Sequence, residues 1–299
     1  MPPVAFITGC SNGGIGSALC RSLLSKGYTV YATARSVDSM SDLSHKNIRK
    51  LAVDVTDNES VAVGIRKVYE ETEGIDLLIS NAGTNHTGPL LDTPYEEGVR
   101  VFETNFFGCV RLVKNVVPRM GLRGRGTVVV IGSIIGELAT PFQAFYNSSK
   151  AALHMYAETL RMECRVIGVK VVLVAPGAIK SNIAVVGASV IQWCIRSRWG
   201  RFQKSAYTLA HDSFYKGMEK QIKRTRYESQ TKAFGVMDAD EFANRVISKV
   251  TSQNPPQYLT LGGAVRVWNL LKWLSRTTAE AIIWREVLKM PKPGTYGPE

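Results

Sequence analysis

The feature that most constrains the fold of this chain is a short apolar run followed at once by a glycine-rich loop. Residues 4–9 (VAFITG) suit a buried parallel strand, and Gly9 opens the loop GCSNGGIG. The next stretch, SALCRSLLSKG, is typical of an amphipathic helix that ends at Gly27. Glycines at such a turn let backbone N–H groups approach a phosphate, and the helix N-terminus adds a favourable dipole. The sequence therefore predicts a dinucleotide-phosphate site within an α/β fold.

Further β-rich runs alternate with stretches of helical length. The candidate strands are residues 4–8, 28–33, 48–53, 76–80, 127–132 and 169–174. This βαβ rhythm predicts a Rossmann-type, doubly wound parallel sheet with helices on both faces and ligands at its carboxyl edge.

After Pro176-Gly177 this rhythm stops. A basic insertion follows, then a short helix at about 238–252 and an amphipathic last segment at 262–290. At 299 residues the chain suits one domain, 1–299. We expect its core at about 1–185 and 236–261, a substrate cap at about 186–235 and a C-terminal segment at about 262–299.

A tyrosine and a lysine stand four residues apart on another predicted helix. Tyr146 and Lys150 follow Ser133 by 13 and 17 residues and should share one helical face. An ammonium near a phenol stabilises the phenolate, so we expect the pKa of Tyr146 to fall towards neutral. Such a tyrosine can exchange a proton with a carbonyl or an alcohol near physiological pH.

Taken in order, these motifs resemble the short-chain dehydrogenase/reductase family. The resemblance covers roughly residues 4–185 and rests on TGCSNGGIG, Asn81-Ala82-Gly83, Asn105, Ser133, Tyr146 and Lys150. The VYATAR run and the apolar C-terminal segment are most similar to the fungal 1-acyldihydroxyacetone-phosphate reductases of that family. The resemblance implies that Ser133 binds the substrate carbonyl and Tyr146 donates the proton. It further implies that Lys150 assists the tyrosine and holds the nicotinamide ribose, and that Asn105 positions a water.

The family pattern also implies the cofactor contacts. The loop has one residue more than the usual spacing, so the phosphate contact among Ser11, Asn12 and Gly13 stays open. Asp54 is matched to an adenine contact or, alternatively, caps the next helix. The expected cofactor-binding residues are Gly9, Ser11, Asn12, Gly14, Ile15, Gly16, Arg35, Asp54, Val55, Asn81, Ala82, Gly83, Tyr146, Lys150, Pro176, Gly177, Ile179 and Ser181.

The end of the second strand distinguishes NADP from NAD. Arg35 stands where NAD enzymes of the family carry an acid, and arginine accommodates a ribose 2′-phosphate. We therefore expect NADP(H). In the alternative interpretation Arg35 is a surface residue and Asp38 or another side chain serves the ribose.

Positive charge is concentrated in one region of a chain whose net charge is +12. Residues 189–235 hold ten Lys or Arg against three acidic residues, which favours an anionic partner such as a phosphorylated substrate or an acidic lipid surface. Nucleic acid is not expected, because no base-reading motif accompanies the charge. A solvated surface helix is the plain alternative.

Two segments bear on the substrate. The stretch Glu137-LATPFQAF should line an apolar pocket through Leu138, Phe142 and Phe145. The insertion adds apolar and cationic residues that would suit an amphipathic ketone: Ile191, Trp193, Ile195, Trp199, Arg196, Arg198 and Arg201.

The segment 262–290 carries three tryptophans among Lys and Arg. It is predicted either to lie on a membrane or lipid droplet, or to pack on the domain or a second subunit. A homodimer or homotetramer is compatible with the family resemblance.

The remaining residues give weaker indications. Five cysteines without CxxC pairing or metal-like spacing suit a reducing, cytoplasmic compartment, and no metal site is expected. No secretory signal is apparent, because residues 1–9 already belong to the first strand. Among the histidines we expect His154 to pack and His86 to lie on the surface.

Three functions fit this sequence. The first is an NADPH-dependent reductase of a hydrophobic ketone such as a 1-acyldihydroxyacetone phosphate. The second is a tailoring ketoreductase for polyketide or terpenoid ketones. The third is an NADPH-bound cyclase or scaffold without redox chemistry, which would not need Ser133, Tyr146 and Lys150.

Overall fold

A computed structural model describes residues 2–181, 209, 213–228, 235–287, 289 and 290. Among these residues a seven-stranded parallel sheet has the strand order β3-β2-β1-β4-β5-β6-β7. The strands are β1 (Val4–Thr8), β2 (Thr29–Ala34), β3 (Ile48–Ala52), β4 (Leu77–Ser80), β5 (Gly126–Ile131), β6 (Val169–Pro176) and β7 (Tyr258–Leu261).

The expected doubly wound Rossmann-type sheet is confirmed. Each of the six candidate strands lies within two residues of its predicted bounds. The prediction missed β7, which follows the Pro255-Pro256 break and pairs with β6. Its four residues are all half-buried, so it lacks the continuous apolar pattern of a central strand.

Helices cover both faces of the sheet. They are α1 (Ile15–Leu24), α2 (Asn58–Glu71), α3 (Tyr95–Phe102), α4 (Gly108–Leu122), α5 (Ala144–Cys164), α6 (Glu219–Glu228), α7 (Ala239–Val250), α8 (Val265–Leu271) and α9 (Arg276–Ile282). Carboxylates cap two of them: Asp57 accepts from the backbone N–H of Glu59 at the start of α2, and Asp238 from that of Asp240 at the start of α7.

The core divides at the sheet. Neighbouring strand residues point to opposite faces, so Phe6 joins a cluster with α2, α4 and α5, whereas Ile7 joins another with α1 and α7. Both side chains are fully buried. The central strands are covered on both sides and are therefore mostly apolar in sequence, which is why they could be predicted, whereas the edge strand β3 carries Arg49 and Lys50.

A third hydrophobic cluster lies outside the sheet. It joins Ile134, Leu138 and Phe142, which follow β5, to Trp268 and Ile283 of the C-terminal segment. The segment is not one helix: α8 ends at Leu271, and the Ser275 hydroxyl accepts from the backbone N–H of Thr278 to start α9. No helix of the described residues is long and apolar enough to cross a membrane.

Candidate active site

A cavity of about 700 Å³ opens at the carboxyl ends of the parallel strands. It lies where β1 and β4 are neighbours and the chain winds away from them in opposite directions, the usual ligand site of such sheets. Of the predicted catalytic and cofactor-binding residues, all but Gly16 and Asn105 line this cavity. The predicted residues that do line the cavity are Gly9, Ser11, Asn12, Gly14, Ile15, Arg35, Asp54, Val55, Asn81, Ala82, Gly83, Ser133, Tyr146, Lys150, Pro176, Gly177, Ile179 and Ser181.

Two positions, one in the loop after β1 and one in the first turn of α1, require glycine. Gly9 has a φ of +73°, and a Cβ there would lie 2.8 Å from the Cα of Ala82. A Cβ on Gly16 would lie 2.3 Å from the carbonyl oxygen of Gly9. Gly16 therefore sits behind the cavity wall and lets α1 begin close to the end of β1. No side chain caps α1 at Gly14, so its first backbone N–H groups are left for a ligand.

Asn81 and Thr8 tie this loop to the end of β4. The Asn81 amide donates to the carbonyls of Thr8 and Gly9 at 2.8 and 3.1 Å. The Thr8 hydroxyl accepts from the backbone N–H groups of Asn81 and Ala82, each at 3.1 Å. Sequence reasoning did not single out Thr8. Its signal was a hydroxyl at the end of an otherwise apolar strand.

Arg35 lies at the cavity rim, directly after β2. Its side chain is exposed, and within the described part of the chain no carboxylate forms an ion pair with it. Asp38 does not line the cavity. Asp54 does, and its carboxylate accepts from both the backbone N–H and the hydroxyl of Thr56. The α2 cap is Asp57, so Asp54 does not cap that helix.

Ser133, Tyr146 and Lys150 meet on one wall of the cavity. Ser133 follows β5, and Tyr146 lies in the first turn of α5. The Ser133 side chain lies close enough to Tyr146 to lower the pKa of the phenol. Lys150 donates from Nζ to the carbonyl oxygen of Ile131 at 2.9 Å, and its Nζ lies 5.8 Å from the centre of the Tyr146 ring.

The expected lowering of the tyrosine pKa is not found in the protein alone. Burial raises the pKa of Tyr146 to about 12, and only its interaction with the Ser133 side chain opposes this. Burial also lowers the pKa of Lys150 to about 8. Desolvation disfavours the charged form of both groups, and here it outweighs the attraction that the spacing implied.

Asn105 lies in a π-helical turn, Glu103–Phe107, between α3 and α4. It is buried, and its amide donates to the Thr84 carbonyl at 3.0 Å and to the Ser149 hydroxyl at 2.9 Å. Its carbonyl accepts from the backbone N–H of Thr84 at 2.8 Å. The side chain thus braces α5 against the loop after β4, and its assignment to a water relay stays a prediction.

The loop after β6 is bound to the C-terminal segment. The backbone of Ala178 exchanges two hydrogen bonds with Gly263, at 2.9 and 3.1 Å. Ala264 and Trp268 follow and line the cavity. Sequence reasoning missed these residues as cavity lining, because their partners are distant in the chain.

The expected apolar lining after Ser133 needs correction. Leu138 and Phe142 are buried in the third cluster, and the ring of Phe145 packs against Gly98 of α3. Phe142 fills space behind the wall because the C-terminal helices cover it, whereas Phe145 is covered by α3. The residues of this region that do line the cavity are Ile134, Ile135, Thr140 and Gln143.

The charged group Arg100, near the site, is already paired. Arg100 lines the cavity but forms an ion pair with Glu97 at 2.7 Å and donates to Thr84. The predicted contacts in the insertion (Ile191, Trp193, Ile195, Trp199, Arg196, Arg198 and Arg201) lie outside the described residues.

The two histidines near the site are both buried. His86 was expected on the surface, but it is only 8% exposed. His154 packs on α5 as expected, and its Nε2 accepts from the backbone N–H of Ser133 at 3.2 Å.

The C-terminal segment has two different faces. Its inner face packs on the protein: Trp268 is 4% exposed, Lys272 pairs with Glu137 at 2.8 Å, and Arg276 donates to the Glu137 carbonyl. Its outer face is apolar and exposed, with Leu270 at 71% and Trp273 at 90%. Of the two predicted roles of this segment, packing on the domain therefore holds for its inner face.

Comparison with known proteins agrees with this geometry. The family model described as short chain dehydrogenase matches residues 3–187. The short-chain dehydrogenase ptmH of Penicillium ochrochloron is 34% identical over 250 residues, which are 83% of this chain and 84% of that protein. The NADPH-dependent 1-acyldihydroxyacetone phosphate reductase of Schizosaccharomyces pombe is 38% identical over 179 residues, 60% of each chain.

A solved structure extends the similarity to nearly the whole chain. A short-chain dehydrogenase from Streptomyces avermitilis has a TM-score of 0.75 and 29% sequence identity, and the match covers 96% of this chain and 97% of that one. With the sheet order, the glycine loop and the Ser133, Tyr146 and Lys150 wall in place, the chain belongs to the short-chain dehydrogenase/reductase family.

Proposed function

We propose that this protein is an NADPH-dependent reductase of ketones with a large apolar body. The observation that carries the proposal is that Ser133, Tyr146 and buried Lys150 lie together in the wall of one cavity, with the Ser133 side chain close enough to lower the pKa of Tyr146. Hydroxyl donors in a cavity wall can stabilise a carbonyl oxygen as it gains negative charge.

The residues present fit NADP(H). Glycines at 9 and 16 let the loop after β1 pack closely against Ala82 and against the start of α1, and the uncapped start of α1 supplies N–H donors for the pyrophosphate. Arg35, exposed at the rim without an acidic partner among the described residues, would hold the 2′-phosphate. The Schizosaccharomyces pombe relative is described as NADPH-dependent, which agrees with this assignment.

The reaction then follows from the chain's own residues. NADPH, when bound, supplies the hydride for the carbonyl carbon. The Ser133 hydroxyl donates a hydrogen bond to the carbonyl oxygen and holds it next to Tyr146. The Tyr146 hydroxyl gives its proton to that oxygen as charge develops there. Lys150, whose Nζ is held by the Ile131 carbonyl, presents an ammonium near the phenol and to the nicotinamide ribose hydroxyls.

The substrate side of the cavity favours an apolar body. Its described wall contains Ile134, Ile135, Ala264 and Trp268, with only neutral polar groups such as Thr140 and Gln143 between them. The one described cation on this side, Arg100, is paired with Glu97. An anionic head group would therefore be bound by the arginines of the basic insertion, namely Arg196, Arg198 and Arg201.

Two substrate classes follow from this wall. An acylated ketone phosphate, as in the name of the Schizosaccharomyces pombe relative, would use both the apolar wall and the basic insertion. A neutral polyketide or terpenoid ketone would use the apolar wall alone, which the neutral character of the described lining favours.

NADPH oxidation separates these classes. The purified protein is given either a long-chain 1-acyldihydroxyacetone phosphate or a neutral apolar ketone of similar size. A preference for the phosphate that disappears on neutralising Arg196, Arg198 and Arg201 supports the lipid reductase. Turnover of the neutral ketone alone supports the tailoring reductase, and turnover of neither ketone contradicts the proposal.

The exposed outer face of the C-terminal segment supports peripheral contact with a membrane or lipid droplet. Leu270 and Trp273 project from it beside the basic residue Arg266. Co-sedimentation with vesicles containing an anionic lipid tests the contact. Replacement of Leu270 and Trp273 by alanine should abolish binding, whereas Leu122→Ala, at another exposed apolar site, should not.

A further inference from the structure

The backbone of Ser133 is held by a side chain that the proposed chemistry does not use. Ser133 follows β5, and its backbone N–H donates to Nε2 of His154 at 3.2 Å. His154 lies on α5, one helical turn beyond Lys150 and two beyond Tyr146. One helix therefore carries the proton donor, the lysine and the group that binds the serine backbone.

His154 is held in the state that this hydrogen bond needs. Burial lowers its pKa to about 4, and the nearby ammonium groups of Lys150 and Lys272 act in the same direction against the carboxylate of Glu137. The imidazole is thus neutral at physiological pH. A neutral ring that accepts at Nε2 carries its proton on Nδ1.

The fit around the imidazole is tight on the serine side. A Cβ on Gly132 would lie 2.2 Å from Nε2 of His154. Glycine at this position is therefore what allows the ring to reach the N–H of the next residue.

The far side of the ring is supported by β7 and the C-terminal segment. The Tyr258 ring meets the imidazole edge-on, with 6.5 Å between the ring centres. The Tyr258 hydroxyl donates to Glu137, and Glu137 pairs with Lys272 at 2.8 Å. The imidazole thus lies between the serine backbone and residues that arrive much later in the chain.

We propose that His154 is a positioning residue: it fixes the backbone of Ser133 so that the serine hydroxyl meets both Tyr146 and the substrate carbonyl. The inference rests on the proposed reductase function and adds His154 to the residues on which that function depends. Without the acceptor, the half-buried Ser133 N–H loses its hydrogen bond, and the chain after β5 must move to satisfy it.

The first test needs no substrate. Amide hydrogen exchange at Ser133 should be at least about tenfold faster in His154→Leu than in the wild type, because its acceptor is gone. His154→Gln, whose side-chain oxygen can replace Nε2, should keep the amide protected. Unchanged exchange in His154→Leu would overturn the proposal whether or not the protein reduces ketones.

The second test uses ketone reduction. His154→Leu should lower kcat roughly tenfold with the Kd for NADPH within about twofold, and His154→Gln should recover most of that loss. In a Ser133→Ala background the same change should cost less than about twofold, because the hydroxyl it positions is absent. An equal loss in both backgrounds would mean a general structural role and would contradict the proposal.

Two further variants separate positioning from folding. Gly132→Ala should resemble His154→Leu, since its methyl group would displace the imidazole. His45→Leu is the matched control: His45 also accepts a backbone N–H, that of Asn47 at 3.1 Å, but is exposed and outside the cavity. It should leave kcat unchanged; a loss equal to that of His154→Leu would contradict the proposal.

Discussion

The cofactor side and the substrate side of the cavity are built in different ways. The cofactor side consists of strand ends and tight turns, each close to its motif in sequence: the loop after β1, Arg35 after β2 and the Asn81-Ala82-Gly83 turn after β4. The substrate side joins residues after β5, Thr225 of α6 and Trp268 of α8. These three segments are far apart in the chain.

This difference separates what is shared within a family from what distinguishes its members. Phosphate and ribose binding depends on backbone groups at strand ends, so it imposes glycines and small residues at fixed positions. An apolar substrate wall imposes only volume and hydrophobicity, which many residues satisfy. The reaction can therefore be assigned more finely than the substrate.

The sharpest way to separate chemistry from cofactor binding is Tyr146→Phe. We expect turnover to fall at least about 1000-fold, because the proposed proton donor is removed, with the Kd for NADPH within about threefold. Single-turnover NADPH oxidation and a fluorescence titration measure the two quantities. Tyr156→Phe on the same helix, a ring that packs against Phe106, should change neither. Retained turnover in Tyr146→Phe would remove the assigned proton donor.

A change confined to the cofactor side is Arg35→Glu. It should weaken NADPH binding roughly 100-fold and leave NADH within about threefold, because only the 2′-phosphate meets the new carboxylate. Calorimetric titration of both nucleotides checks this. Arg125→Glu, an exposed arginine outside the cavity, serves as the control for net charge. Equal weakening of both nucleotides would contradict the NADP assignment.

Lys150 stands where the two sides meet, and its burial predicts a pH effect on stability. The folded-state pKa is about 8 against an ordinary value of 10.5, so between these pH values the unfolded chain binds more protons and stability rises with pH. Below that window the wild type must bury a charged lysine, which Lys150→Met does not. The free energy of unfolding of Lys150→Met should therefore be higher than that of the wild type, and the difference should be largest at pH 8 and below. That difference should shrink by roughly 2 kcal/mol towards pH 10.

Urea unfolding at pH 7, 8, 9 and 10 measures this difference, with Lys26→Met, an exposed lysine, as the control. Parallel curves for Lys150→Met and the wild type would mean that burial does not depress the lysine pKa.

The smallest expected effect belongs to the substrate side. Trp268→Phe keeps an aromatic ring, and the indole N–H that it removes has no hydrogen-bond partner among the described residues. We expect KM for an apolar ketone to rise roughly fivefold through lost contact area, with NADPH binding unchanged. Trp273→Phe, assayed without lipid, is the exposed counterpart and should be neutral. An equal effect of both changes would take Trp268 out of the substrate wall.

Most of the sheet and of the cofactor side could be predicted from sequence because their signals are local. Buried parallel strands are continuously apolar, and the turns that follow them need glycine or small residues, as at Gly9 and Gly16. Phe142 and Phe145 were misplaced because apolar character does not tell whether a side chain lines a cavity or fills the space behind it. The pKa of Tyr146 could not be predicted either, since spacing reveals a charged neighbour but not the degree of burial.

The pairing of β7 with β6 also has a consequence for the order in which the protein is made. During synthesis β6 emerges long before Tyr258–Leu261, so its outer edge stays unpaired while the basic insertion and α7 leave the ribosome. An unpaired apolar strand is a site where chains can associate with one another. The nascent chain can thus form the loops of its cofactor side early. Its sheet edge and its substrate wall are completed together and later, when β7 and the C-terminal segment are synthesised.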